Sequence, residues 1–464
     1  MSLSIYNSFS RKKEIFKSIN EGLVGMYVCG PTVYGPPHVG HARSYVNFDV
    51  VRRFFEYSGY KVKYVQNITD VGHLVGDGDD GEDKIGRQAK LEQLDPYEIA
   101  YKYECEYFDA MDKLGILRPS ISPRASGFIM DIIAAVQDIV DKGYGYVTKD
   151  GNVYFDVYEY AGYGLLSNRK LGQNLSGERI EVAGDKKHNE DFALWKAVEP
   201  NTLMKWQSPW GWGCPGWHIE CSVLSKKFLG EKFDIHGGGI DNLFPHHECE
   251  CAQGGVIGVD MNFFMHNNLV TVNGQKMGKS LGNFTTLENL FARFDPQTVR
   301  YFILQFHYRS SIDFSDEAIA QAQKQLEKIE AFVQNVREVT TEFAIPTGER
   351  KELFDACLRA LDDDFNSPVL VAEVLKLIKM PLESASELNY IIAKVLEEIM
   401  GLKFEKKSEK NDKIDEKIEN LAKKRWLAKQ NRDFATADNL RKELLNLGYE
   451  IKDTKDSYTI QKIK

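Results

Sequence analysis

Residues 25–57 read GMYVCGPTVYGPPHVGHARSYVNFDVVRRFFEY, and this stretch decides the fold. Gly25 to Cys29 is short, apolar and closed by Gly30 and Pro31, the pattern of a strand buried on both faces. After a Gly- and Pro-rich turn, a helix is predicted from about His41 to Tyr57, because Val46, Val50, Phe54 and Tyr57 are spaced for one face. Tyr60 to Gln66 then alternates as a second strand. Strand, helix, strand in that order is the unit of a parallel α/β sheet.

Outward from this unit the pattern continues. Glu92 to Leu114 and Ser126 to Lys142 have helical spacing, and Gly143 to Gly216, irregular and rich in Gly, Tyr and Trp, reads as an inserted module. Lys232 to Ile235 is a strand running into three glycines, and Asn262 to Val270 is another before a Lys-rich loop. From Ser315 the character changes: Ser315 to Val339 and Glu352 to Met400 have helical periodicity with almost no strand signal. Lys403 to Lys417 is a charged linker or exposed helix, followed by a helix to Lys429, a helix from Phe434 to Leu447 and two short strand-like runs. The expected fold class is therefore α/β. A Rossmann-like parallel-sheet body spans 1–314 with an insertion at about 100–216, an all-α helix bundle follows at 315–402, and a linker with a small C-terminal mixed α/β domain occupies 403–464.

The chain has 464 residues, 43% of them hydrophobic, enough for a large core divided among several domains. No apolar run reaches the ~18 residues of a membrane-spanning helix, and the N-terminus lacks a secretory signal, so no membrane partner is expected. The cysteines, seven and scattered, read as reduced thiols or metal ligands rather than a disulfide framework, which points to a cytoplasmic protein. Charge is unevenly spread: Lys403 to Lys464 carries a net +5 and the rest −14. An acidic body with a basic tail suits partial contact with nucleic acid, though charge alone fits a solvated helical tail equally well.

Three groups of residues carry chemistry. His38-Val39-Gly40-His41 falls between a strand and a helix, where imidazoles and the helix dipole can hold phosphate oxygens and Gly40 lets a base approach the backbone. Lys276-Met277-Gly278-Lys279-Ser280 lies in the loop after the last strand of the body, and its two lysines can neutralise a leaving pyrophosphate. Each motif alone is weak, the first as a helix cap and the second as a solvated basic turn. The third group is FDIHGGGID at 233–241, running on to PHHECEC at 245–251. A strand that ends in glycines opens room for a ligand at the carboxyl edge of the sheet. On a helix His246 and Glu250 share a face, as a metal requires, and distant Cys29 and Cys221 can converge on them or be small buried residues.

In order along the chain, HVGH and KMGKS resemble the two signatures of class I aminoacyl-tRNA synthetases. The match narrows with YVCGPTVY at 27–34, NITD at 67–70, PGWHIECS at 215–222, FPHHE at 244–248, GKSLGNF at 278–284, HYRS at 307–310 and LDDDFN at 361–366, which together resemble the cysteinyl-tRNA synthetases over nearly the whole chain. That resemblance implies one zinc held by Cys29, Cys221, His246 and Glu250, and a substrate pocket at Thr69 and Trp217. It implies His38, Gly40, His41, Gly238 and Asp241 around ATP, Lys276 and Lys279 on its phosphates, and Mg²⁺ with the nucleotide. The partners implied are L-cysteine, ATP and cysteine tRNA, the protein acting as a monomer. The tail, with Arg432 and the basic run Lys423 to Arg425, is then expected to read the anticodon end.

The sequence departs from the family pattern at Gly278, usually serine, at Cys214, where arginine is expected, and at Cys249, typically asparagine. By ligand chemistry alone the Cys249 thiolate outcompetes Glu250 for zinc, whereas the resemblance favours Glu250. A cysteine ligase of the mycothiol type shares such a body but lacks the tail. A zinc hydrolase leaves HVGH and KMGKS unexplained, and a non-catalytic tRNA-binding relative does not account for the intact nucleotide motifs.

Overall fold

The structure, a computed structural model, describes residues 2–74, 81–172, 185–272, 274–277, 284–404, 416–431, 433–453 and 457–462. Its centre is a parallel sheet of β1 (Leu23–Val28), β2 (Lys61–Val65), β3 (Lys232–Gly239) and β4 (Asp260–Asn267), in spatial order β4-β3-β1-β2. β1 is an inner strand, with Met26 paired to Ile235 on one side and Tyr64 on the other. That position explains its unbroken apolar run, since both edges are hydrogen-bonded and both faces are covered. Helix α1 (Val39–Tyr57) follows β1 and buries Val46, Val50 and Phe54. Two further helices, α2 (Trp217–Leu229) and α3 (Glu248–Ile257), flank β3 in sequence.

Several boundaries differ from the sequence reading for identifiable reasons. β3 continues through Gly237 to Gly239, and a side chain at 237 would meet the Phe48 ring at 2.5 Å, so the strand needs glycine there. The helix expected over 92–114 starts later, at Pro96, and runs to Lys113; a separate helix, Lys84–Glu92, precedes it and ends where it was expected to begin. Gln93 turns left-handed with φ 55°, Asp95 caps the second helix and Pro96 starts it. The strand expected to reach Val270 stops at Asn267, and Val270–Val272 instead pairs with Gln275–Lys276 and Ile312–Asp313.

The inserted module contains a five-stranded sheet built around Phe192–Ala197, with Trp195 wholly buried. Helices from Asp316–Val339 onwards pack on the body, and one apolar core runs from Met26 and Phe55 to Val333, Leu396 and Met400. Residues 1–404 form one compact unit and 405–464 a second. Within the second, helices Glu416–Gln430 and Phe434–Asn446 and the hairpin Tyr449–Asp453/Tyr458–Lys462 enclose Ile418, Ala422, Leu444 and Ile451. Arg425 is not part of an exposed basic face as expected: it is 5% exposed and its guanidinium forks onto Asp453, because a buried arginine needs a carboxylate partner. Arg432 lies outside the described residues. Among the described residues no helix is long and apolar enough to cross a membrane.

Candidate metal centre and nucleotide cleft

The parallel pairing of β1 with β3 sets Val28 opposite Gly237, so Cys29 leaves the sheet beside the glycine end of β3. The first turns of α2 supply Trp217, Glu220 and Cys221, and the turn before α3 supplies His246 and His247, with Glu250 one helical turn on. Ligand atoms of Cys29, Cys221, His246 and Glu250 all lie within 4.8 Å of one another, and so do those of Cys29, His236, His247 and Glu250. Glu250 Oε1 stands 3.0 Å from His246 Nε2 and 3.6 Å from Cys29 Sγ, while Cys29 Sγ is 3.2 Å from His247 Nε2. Cys249 belongs to neither group; its sulfur is 3.9 Å from the Tyr163 hydroxyl.

The electrostatics fit a metal. Glu250 is fully buried, its recorded ion-pair neighbours are all imidazoles, and Oε2 makes no hydrogen bond although His236 Nε2 is 3.2 Å away. Burial, reinforced by His218 and His236, holds the His246 imidazole well below its usual pKa, hence neutral with a lone pair to give. Burial pushes the Cys29 and Cys221 thiols up, so without a cation they keep their protons. A divalent ion is the charge that two thiolates and a carboxylate in this enclosure lack. The other ring nitrogens are already held: His246 Nδ1 by His218 Nδ1 at 2.8 Å, and His247 Nδ1 by His266 Nε2 at 2.8 Å. Such outer partners orient a metal-binding imidazole.

The cluster forms one end of a cleft of about 300 Å³. Cys29, Cys221 and His246 line it, as do Thr69, Trp217, His38, Gly40, His41, Asp241 and Met277. The Trp217 ring is stacked between His73 at 4.0 Å and His246 at 4.2 Å, a rigid wall beside the metal group. Lys84 Nζ lies 2.8 Å from His73 Nε2, and since an ammonium only donates, that nitrogen accepts and Nδ1 carries its proton toward Thr32.

At the other end His38 caps α1, accepting from the Gly40 N–H at 3.1 Å, and its ring stacks on His41 at 3.8 Å. A Cβ on Gly40 would lie 2.9 Å from the His38 ring and 3.9 Å from Met277 Cε, so the methionine of the second motif abuts the first. Backbone pairing of His38 with Thr286 and of Leu287 N with Pro37 O ties the first motif to the segment that follows the second. Gly239 and Asp241 reach the cleft, whereas Gly238 sits beneath, against Asn242 and His247. Lys276 lies in the strand Gln275–Lys276; Gly278 and Lys279 lie outside the described residues. Cys214 faces a separate cavity beside Met204, where burial pushes its thiol up to about 12.

Some residues at the site carry no distinguishing signal in the sequence. His236 was visible within DIHGGG, but nothing in its spacing distinguished an inward imidazole from a packing residue. Arg43, 0% exposed, donates to the carbonyls of His307, Tyr308 and Ser310 at 2.7, 3.1 and 2.8 Å. It thereby fastens the HYRS turn to α1, with burial lowering its pKa to about 9.

Comparison with known proteins places this geometry. The family model for the tRNA synthetases class I (C) catalytic domain matches residues 15–324. A cysteine–tRNA ligase of Chlorobium luteolum is 47% identical over 100% of both chains, and one of Bacteroides thetaiotaomicron is 45% identical over 98% of both. Among solved structures, the Mycobacterium tuberculosis methionyl-tRNA synthetase bound to methionyl-adenylate superposes with a TM-score of 0.56 at 14% identity, covering 81% of this chain and 89% of that one. A leucyl-tRNA synthetase ternary complex from Agrobacterium radiobacter gives 0.59 at 11% identity, covering 81% and 84%, a likeness of fold alone. With a catalytic-domain match over two-thirds of its length and full-length relatives near 45% identity, the chain belongs to the class I aminoacyl-tRNA synthetases, in the cysteine–tRNA ligase family.

Proposed function

We propose that the protein activates L-cysteine with ATP and transfers the cysteinyl group to the 3′ end of cysteine tRNA. The observation that carries this reading is one cleft joining a thiol-, imidazole- and carboxylate-bearing cluster to the HVGH turn and Met277. Of the two groupings, Cys29, Cys221, His246 and Glu250 is the one a substrate can reach, because three of its members line the cleft and only Cys29 of the other does. Cys29, Cys221, His246 and Glu250 would hold a zinc ion, which would supply a preference for a substrate thiol over a hydroxyl and so favour cysteine over serine without an editing site.

The chain's own residues then divide the work. Trp217 and Thr69 enclose the amino acid against the metal group. Gly40 and Asp241 border the nucleoside, and Gly238 keeps the floor of β3 low beneath Asn242. The cysteine carboxylate attacks the α-phosphorus of ATP in line and pyrophosphate departs. His38 and His41, at the positive end of α1, meet the phosphate oxygens together with Lys276, Lys279 and Mg²⁺. In the second step a ribose hydroxyl of the tRNA, the 2′-hydroxyl by analogy with the class, attacks the adenylate carbonyl and AMP leaves. Positioning in the cleft supplies much of the rate. The seven free cysteines suit a reducing, cytoplasmic compartment.

Cysteine-dependent ATP–pyrophosphate exchange tests the reading, with serine as the control. The protein should carry one zinc per chain and exchange with cysteine only. Lys279→Ala should lower exchange by about a hundredfold with zinc content unchanged. Unaltered exchange in that variant would remove the lysine's role, and exchange with serine would remove the metal's.

A further inference from the structure

Trp217, the cleft wall beside the candidate metal group, has both faces of its ring covered. His246 stacks on one face at 4.2 Å with an interplanar angle of 26°, and His73 on the other at 4.0 Å and 13°. The indole therefore offers the cleft its edge. His73 is 6% exposed and is held at both ring nitrogens, Nδ1 by the Thr32 hydroxyl and Nε2 by Lys84 Nζ. Its carbonyl accepts the Lys84 N–H at 2.9 Å and Leu74 bridges Asp83, so 73–74 and 83–84 run antiparallel and brace the ring from the backbone. Gly72, with φ 74°, seats this brace against the strand Gly211–Pro215, which leads into Trp217: a Cβ at 72 would lie 2.4 Å from the Pro215 carbonyl oxygen.

A metal that prefers sulfur separates a thiol from a hydroxyl but treats two thiols alike. Homocysteine carries the thiol of cysteine on a chain one methylene longer, so its rejection falls to the shape of the cleft. A wall rejects an extra methylene only where it cannot recede, because overpacking is costly only against neighbours that are themselves held. Trp217 enters the cleft on a side chain with two rotatable bonds. The His73 ring fills the space into which the indole would swing away from His246.

We propose that His73 is a positioning residue that sets substrate length: by backing Trp217 against His246 it fixes the wall, so that the cleft takes cysteine and rejects homocysteine. Two flat rings in contact do this, and no change of charge is involved. The reading rests on the activation of cysteine proposed above and deepens it, since it concerns the one kind of competitor, a longer thiol amino acid, that the metal cannot exclude.

Calorimetry on the zinc-loaded full chain measures Kd for L-cysteine and for L-homocysteine, and the ratio of the two is the readout. In the wild type homocysteine should bind at least about tenfold more weakly, the scale of one methylene. His73→Ala should lower that ratio at least about fivefold with zinc content unchanged, and His73→Phe, which keeps a flat ring on the indole, should restore it to within about twofold. In a Trp217→Ala background His73→Ala should add nothing, because His73 acts through that ring. A smaller change in His73→Ala, a Phe variant as permissive as Ala, additive effects with Trp217→Ala, or loss of zinc in step with the ratio would overturn the proposal. If His73→Ala does not fold, His73→Leu, which fills the space without an aromatic face, is held to the same thresholds. Wild-type protein without cysteine-dependent ATP–pyrophosphate exchange would instead reject the underlying activity.

Discussion

Cys249 and Glu250 are adjacent in sequence, yet on a helix one residue is a rotation of about 100°, so only one of them can face a given partner. The tertiary frame makes the choice: Glu250 points toward Cys29 and His246, and Cys249 toward Tyr163 in the neighbouring packing layer. Ligand softness would have preferred the thiolate. Direction outweighs affinity because the cysteine would have to cross the helix to reach the ion. Cys249→Ala should accordingly retain about one zinc per chain, and Glu250→Ala should lose most of it, each measured by metal analysis after dialysis against a weak chelator, since loss of one ligand of four costs 10-fold or more in affinity. Zinc loss in Cys249→Ala with retention in Glu250→Ala would reverse the assignment.

At the scale of elements, the cleft depends on how α1 is fixed against its neighbours, and Asp49 does much of this. Its carboxylate accepts from Arg300 of helix Pro296–Leu304 at 2.5 Å, from Arg53 at 2.7 Å and from the Leu117 N–H at 2.9 Å. Arg300 continues to the carbonyls of Met400 and Leu114. Burial alone would raise the Asp49 carboxyl, but Arg300 and Arg53 outweigh it and hold it below its ordinary value. A carboxylate held below its unfolded value stabilises the fold above that value, and the contribution fades as pH falls through the folded pKa. Asp49→Asn leaves Arg300 without its counter-charge and should lower the unfolding free energy by about 3–5 kcal/mol at pH 7. The difference should narrow below about pH 4, read from urea midpoints of the two proteins across pH. A pH-independent gap would assign the effect to packing. Such hubs explain what the sequence left hidden. The runs of β1 and α1 were legible because periodicity is local, and the residues that cluster around Glu250 were pointed to by motif resemblance. Asp49, Arg43 and His236 reach partners 68 to 267 residues away in chain, and no spacing rule encodes such meetings. The late start of the helix at Pro96 was legible in principle, since Asp-Pro is a cap followed by a helix start.

The whole molecule separates by composition into an acidic body and a basic tail, and by packing into residues 1–404 and 405–464. All described residues of the cleft, both groupings around Glu250 and the continuous core fall within the first unit. Adenylate formation uses small ligands that the first unit can hold alone, whereas tRNA is a long polyanion that a first unit of net −13 repels. Truncation after Phe404 should therefore leave cysteine-dependent exchange within about threefold of the full chain, because no cleft residue is removed. Transfer to tRNA should fall by about a hundredfold or more, through loss of phosphate contacts rather than of chemistry. Salt distinguishes this from general damage. In the full chain, raising salt from about 50 to 200 mM should weaken tRNA charging steeply and exchange little, and in the truncated chain the residual charging should respond less. Equal losses of exchange and charging on truncation, or a salt response in exchange as steep as that in charging, would show that the tail serves the cleft itself and not the nucleic acid.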